Sequence, residues 1–474
     1  MRSLFACSLV VLLVACGEPS RHVVADAGVH DDASAPPITR DVRIADRAVI
    51  AWMRTDPSDT WWVEERLAPI PAMRGDRDPG MRAIARAGGD GARIVVWQPA
   101  ASDVLIDAVM HASGEWTASG IDDEWRPFLA RGDRDGLRGR VVLDDPTLAD
   151  EPGAWLPSAN RDALRVGALS AASLRLVVDG DDVVVVLMND SHAVLAYRVR
   201  WRDGDELERV ARTLVTPATG MLPALPMGGS YDPFDAMWAQ FLVFSASDGE
   251  GGTYVTCFTD RARLDAHNAY FDTEHALLRT PEAGTYRPSD VLVVRVDRDG
   301  THAWSRVVGT VDRDDLVFGI AASGERVAVI GRSRREPGHD NTELHVMIAP
   351  LSSDGVVGPT ITWDAIDSAI AQTAAFDAEG ALWVGGTEGW TQNPDGLSLF
   401  TDGHPFVVRI AQAEVVRVDG LLPATGGHAE LRALAIDEDR VWTAGLENGP
   451  LTHTHDADPS RVRSDAWWTY SPRE

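Results

Sequence analysis

Short apolar stretches alternate with polar turns along most of this chain, and from about residue 40 onward one unit recurs. The unit is an apolar stretch, a short polar turn, and a second apolar stretch that closes on a small residue. Residues 318–331 read FGIAASGERVAVIG, residues 374–385 read AAFDAEGALWVG, and residues 433–445 read ALAIDEDRVWTAG. Residues 174–188 and the looser 241–258 follow the same plan, while 83–97 and 42–52 fit it more weakly, which makes seven candidates. Alternating or β-branched runs bounded by Gly and Asp turns predict strands joined as hairpins. A second hairpin mostly follows each unit, as in residues 290–308 with a turn at Asp299-Gly300, and again in 345–363 and 406–418. Four strands per unit, repeated, predict the blades of a β-propeller, which stack so that every sheet buries both faces. The expected fold is therefore all-β, one propeller domain over 40–474, with six to eight blades and seven preferred.

Particular residues sharpen this expectation. Asp290-Val291-Leu292-Val293, Asp299-Gly300, Trp304, Gly309, Asp314 and Val327-Ala328-Val329-Ile330-Gly331 together resemble one repeat of the seven-bladed propeller (SBBP-type) proteins. Tyr254-Val255-Thr256-Cys257 stands where that repeat ends a strand in Tyr-Val-Thr-Gly. The resemblance covers about 240 to 450 and implies an extracytoplasmic propeller without implying catalytic residues. The last unit, from about Leu431, lacks an outermost strand, and a segment near 38–50 is expected to supply it and close the ring.

The N-terminus adds a compartment. Arg2 precedes an apolar run from Leu4 to Ala15, too short to span a bilayer, where roughly 20 residues are needed. Leu13-Val14-Ala15-Cys16 ends that run and resembles the lipobox of bacterial lipoproteins. The resemblance implies a signal peptide over 1–15, cleavage before Cys16, and diacylglycerol on its sulfur; Gly17, lacking the aspartate of inner-membrane retention, favours the outer membrane. Acyl chains contribute about 0.8 kcal/mol per buried methylene, so more than one holds a soluble domain stably. Residues 16–39, rich in Asp, Ala, Ser, Gly and Pro, read as a flexible tether.

Composition mainly excludes. The net charge is −28 and the chain contains no lysine, so nucleic acid, which demands clustered cations, is not an expected partner. Schiff-base chemistry and a P-loop are excluded on the same ground. Once Cys7 leaves with the signal and Cys16 is lipidated, Cys257 stands alone and no intrachain disulfide can form. No Gly-x-Ser-x-Gly, His-Glu-x-x-His or Cys-x-x-Cys motif is present, and no cofactor is expected. Dispersed carboxylates of the glycosidase kind leave no local motif, so an enzyme acting on carbohydrate or a similar polymer stays open.

The remaining signal is the distribution of loops. With the strands of a blade called A to D, the A–B and C–D turns are short. The long insertions are assigned to 260–289, 333–343, 387–404 and 446–464 between strands B and C, and to 122–173 and 216–236 between blades. Both classes of connection emerge on one face, and long loops on a rigid scaffold commonly carry binding. That face is expected to hold His339, Trp390, His404, His453 and His455, with Trp390, like Trp155, in a loop and free to stack on a sugar or a partner's apolar surface. His453, His455, Asp456 and Asp458 form a weak transition-metal candidate beside the plainer reading of a solvated loop. Asp133-Arg134-Asp135-Gly136 and Asp297-Arg298-Asp299-Gly300 read as turns and lack a calcium loop's further ligands. Trp97, Trp116, Trp304, Trp363, Trp383 and Trp442 are expected between blades. Three function classes follow: a binding or scaffolding module with a protein or glycan ligand, a carbohydrate-active enzyme, and a structural partner in an envelope assembly.

Overall fold

The computed structural model describes residues 40–43, 49–53, 60–63, 82–88 and 91–97, and, with gaps inside them, 104–143, 174–217, 243–271, 290–363, 369–447 and 465–472. Three short strands lead, β1 (Arg40–Arg43), β2 (Val49–Met53) and β3 (Thr60–Val63), and the hairpin of β4 (Arg82–Gly88) and β5 (Gly91–Trp97) follows. Then come β6 (Val104–Met110), β7 (Trp116–Ile121), β8 (Pro127–Asp133) and β9 (Gly136–Val142), followed by β10 (Leu174–Asp179), β11 (Asp182–Met188), β12 (Val194–Trp201) and β13 (Leu207–Thr216). The next group is β14 (Val243–Ser247), β15 (Thr253–Thr259), β16 (Asp290–Val296) and β17 (His302–Val308), with helix α1 (Arg261–Phe271) between β15 and β16. The chain continues through β18 (Arg313–Ser323), β19 (Arg326–Arg335), β20 (Leu344–Ser352) and β21 (Ile361–Trp363), then β22 (Ala369–Phe376), β23 (Leu382–Gln392), β24 (Ser398–Ala411) and β25 (Glu414–Asp419). It ends with β26 (Ala429–Ile436), β27 (Arg440–Glu447) and β28 (Asp465–Pro472).

The described residues are nearly all β and form seven sheets, five of them four-stranded. Antiparallel meanders build β6–β9, β10–β13, β14–β17 and β18–β21. The first strands lie side by side in succession: β4 beside β6, then β10, β14, β18, β22 and β26, with β26 again beside β4. This radial order of sheets is β-propeller architecture.

Burial explains the sequence pattern. β11 (DVVVVLM) and β15 (TYVTCFT) are buried along their whole length, because each face meets a neighbouring sheet. Outer strand β13 (LERVARTLVT) instead alternates half-buried with exposed positions over its first six residues. Each gap between consecutive sheets from β6–β9 to β26–β27 holds its own apolar cluster, such as Val291, Val293, Trp304, Val317, Val329 and Met347. Trp116, Trp304, Trp363, Trp383 and Trp442 are buried, as expected of residues between blades.

The small residue that closes each unit has a steric cause. In four sheets the first strand carries a bulge, and the residue just before it faces a glycine of the second strand: Leu105 faces Gly120, Val317 Gly331, Ala371 Gly386, and Leu431 Gly445. A bulge crowds extra backbone onto its partner. A Cβ on Gly331 would lie 1.8 Å from the Leu316 carbonyl oxygen, and one on Gly386 would lie 2.0 Å from that of Ile370.

Two sequence assignments are corrected. Residues 42–52 are not a hairpin, since β1 runs parallel to β25 in one sheet and β2 pairs antiparallel with β28 in another. The missing inner hairpin is β6–β7, which a polar residue inside its first strand had hidden. That residue, Asp107, is buried because its carboxylate accepts the backbone N–H of Ala108 and that of Leu176 in the next sheet, each at 2.9 Å. Residues 122–173 likewise contain β8 and β9, whose hairpin pairs Asp133 with Gly136. Asp297 and Gly300 close a turn by a 2.9 Å backbone hydrogen bond, the turn chemistry expected there.

The face of short turns is clamped by one repeated device: an Asp at the turn between first and second strand binds an Arg of the third. Asp179 binds Arg198, Asp248 binds Arg295 at 3.1 Å, and Asp377 binds Arg409 at 3.4 Å. Asp377 also accepts the Trp383 indole N–H at 2.9 Å and the Ala381 N–H at 2.7 Å. Burial opposes its ionisation, but these donors and Arg409 win and lower its pKa. Replacing Asp377 with alanine should cost about 2–3 kcal/mol in urea unfolding, because buried donors lose their acceptor.

Candidate functional site

From β4 onward the long connections stand on one side. Among the described strands, no connection between first and second or third and fourth strands exceeds that from Ser352 to Ile361, whereas 260–289 and 448–464 separate second from third strands and 144–173 and 217–242 separate sheets. The connection 64–81 joins β3 to β4, which run the same way on either side of β5, and so belongs to neither side. The assignment of 387–404 as a loop is overturned: β23 and β24 extend through it as a long hairpin, with Trp390 opposite Phe400 and His404 opposite Glu388. Strand pairing satisfies that backbone where solvent was expected to. His404 is exposed and Glu388 buried. Cys16, His339, His453, His455, Asp456, Asp458 and Trp155 lie outside the described residues, as does the side chain of Trp390. Among the described residues, no group of three or more His, Cys, Asp or Glu side chains is placed to hold a metal ion.

The same face carries a polar cluster the sequence reading missed. Asp290 opens β16, Asp315 stands near the start of β18, and both carboxylates converge over Gly309, where an added Cβ would meet Asp290 Oδ1 at 2.4 Å and Asp315 Oδ2 at 2.6 Å. The Thr310 hydroxyl donates to Asp315 Oδ1 at 2.7 Å and lies 2.7 Å from the Ser333 hydroxyl, and the Thr310 N–H also donates to Asp315. Burial, and then the Asp290 carboxylate, push Asp315 up to about 8. The available signal was an acid inside the first residues of an apolar strand, Asp-Asp-Leu-Val-Phe.

Two neighbouring acids whose environments push their pKa values apart can act as an acid and base pair. Here Asp315 is fully buried, and its oxygens are engaged by Thr310 in the connection between β17 and β18. A carboxyl so enclosed holds Gly309 and Thr310 between two sheets and does not reach a substrate. The long-loop face therefore stands as a held surface with exposed positions such as His404.

A second cluster lies under α1, on a sheet face rather than at the loops. Ser305 Oγ sits 2.7 Å from His267 Nε2 and 2.5 Å from His302 Nε2.

No family model matches the chain, and no curated protein matches it. Among solved structures it is similar to the β-propeller domain of the trilobed protease from Pyrococcus furiosus, described as having an open velcro topology: 8% identity over 73% of this chain and 80% of that one, TM-score 0.37. It is also similar to a polysaccharide lyase of the ulvan lyase type (11%, covering 79% and 83%, TM-score 0.43) and to a sialidase mutant of Trypanosoma rangeli with trans-sialidase activity (8%, covering 87% and 58%, TM-score 0.40). At these values no activity, ligand or site carries over from any of them.

Proposed function

We propose that this chain is a lipid-anchored, extracytoplasmic propeller of seven blades over 40–474, and that its long-loop face binds a protein or glycan partner at the cell envelope, with the outer membrane the favoured site. The observation that carries this reading is the one-sidedness of the long connections from β4 onward. Longer loops cost little closure entropy, about 0.6 kcal/mol per doubling, so drift alone should lengthen both faces. The blade count is supported by the return of the first-strand succession to β4, and ring closure by the pairing of β2 with β28, Val49 opposite Tyr470.

Strand direction supports an orientation as well. β25 starts at the short-turn face, after the connection 412–413, and β1 runs parallel to it with Arg40 opposite Val416. The chain leading back toward Cys16 therefore departs from the short-turn side, so the long-loop face lies opposite the point where the tether begins, and we take it to face away from the membrane. On vesicles carrying the lipidated protein, a fluorophore at Glu325→Cys should be quenched by a headgroup quencher more strongly than one at His404→Cys; the reverse order would overturn this orientation.

The anchor itself is tested by Cys16→Ser. The parent should sediment with membranes after cleavage, and the variant should be released or remain uncleaved. Unchanged cleavage and membrane association in the variant would remove the lipoprotein reading.

A further inference from the structure

Helix α1 is fastened in a groove between the sheets β10–β13 and β14–β17. Leu264 belongs to one buried cluster with Val186, Met188 and Val194 of one sheet and Val255 and Cys257 of the other. Arg263 is buried, donates to the Phe258 carbonyl oxygen at 2.5 Å, and reaches the Cys257 thiol. The second turn is held by the bridge His267–Ser305–His302, and Phe271 stacks on His302 at 4.3 Å between ring centroids.

The proton count of that bridge is limited. A serine hydroxyl has one hydrogen, so it donates to one imidazole and accepts from the other. One proton can be added to the pair without breaking this chain of bonds. A second proton makes both Nε2 atoms donors and sets two charges 5.6 Å apart. His267 is buried and its Nδ1 has no hydrogen-bond partner among the described residues, so an imidazolium there leaves a donor unsatisfied. Among the described residues, no counter-ion offsets the charge. On α1 itself the nearby cation is Arg263, and Asp265 is exposed; on β17 the groups are His302 and Arg306, the latter turned to the Gly355 carbonyl; Met188 of the other sheet is uncharged. Burial, and then the charge of His302, lower His267 to about 4.

We propose that α1 is an acid-released latch: a second proton in the His267–Ser305–His302 bridge frees the helix from its groove and uncovers the Cys257 thiol while the sheets stay intact. This proposal is independent of the anchor and of the long-loop face. Cys257 is the natural reporter, being fully buried beside α1.

The test uses the mature full-length chain with Cys16→Ser, in which Cys257 is the single thiol. Its reaction with 4,4′-dithiodipyridine is followed from pH 4.5 to 8 and normalised to glutathione at each pH. The normalised rate should rise about tenfold between pH 7 and 5.5 and further below, with far-ultraviolet circular dichroism unchanged. His267→Phe should abolish the rise. Should that variant fail to fold, His302→Gln, which keeps a bond to Ser305 and removes one titrating group, should move the onset to lower pH. A flat normalised rate, a rise that coincides with loss of the β signal, or an unaltered acid response in the variants would each overturn the latch.

Discussion

Gly331→Ala should destabilise the protein by about 3 kcal/mol or more, among the larger effects expected of any single methyl group here. The added Cβ would stand 1.8 Å from the Leu316 carbonyl oxygen, and that contact is backbone on both sides, with no flexible side chain to yield. The bulged first strand and its neighbour must separate, which also disturbs the sheets packed on either face. Gly386→Ala, with the Ile370 oxygen at 2.0 Å, should behave alike. Gly324→Ala serves as the contrast: its φ is +57° but nothing lies within 4 Å, so only backbone strain of about 1–2 kcal/mol applies. Urea midpoints at fixed pH measure all three. A cost at Gly331 below that at Gly324 would show that the bulge does not press on this position.

The second large effect is a fall in stability on the alkaline side. Asp315 has a folded pKa of about 8, raised above its ordinary 3.8, so the stability it lends is complete at low pH and is lost as pH climbs toward 8. The slope approaches about 1.4 kcal/mol per pH unit. His267, lowered from 6.5 to about 4, acts in the opposite sense: its contribution is complete above 6.5 and is lost as pH falls through that window. Below pH 6.5 the two slopes oppose each other and His111 and His302, also lowered by burial, add to the histidine side, so stability should not rise there as pH falls; the decline of Asp315 stands uncovered between 6.5 and 8. Asp315→Asn, which imitates the protonated acid, should abolish the decline in that upper window and be at least as stable as the parent at pH 8. Parallel curves for parent and variant would mean that Asp315 is ionised in the folded state.

Much of the architecture was legible because a propeller repeats a local pattern. Six of the inner hairpins announce themselves through β-branched runs and Gly or Asp turns, including 174–188 and 318–331, since strands buried on both faces must be apolar throughout. The seventh was not legible, because Asp107 interrupts its apolar run and its partners, Ala108 and Leu176, are found only once two sheets are adjacent. The region 387–404 misled for the opposite reason: Asp, Gly and Pro suggested a loop where a long hairpin edge is satisfied by cross-strand pairing. Among the site residues, His404 was placed in a loop and stands on a strand opposite Glu388. Asp290 and Asp315 come from different sheets, and the bridge at Ser305 joins a helix to a strand, so neither cluster leaves a spacing to recognise.

The central claim, that the long-loop face does the binding, is tested most directly by site-specific photocrosslinking in intact cells. A photoreactive phenylalanine derivative would replace His404 or Trp390 on one face and Glu325 or Glu379 on the other. All four variants should reach the membrane in equal amount. The account predicts a discrete crosslinked adduct from positions 404 and 390 and none from 325 and 379. Adducts confined to the short-turn positions, or formed equally from both faces, would contradict it.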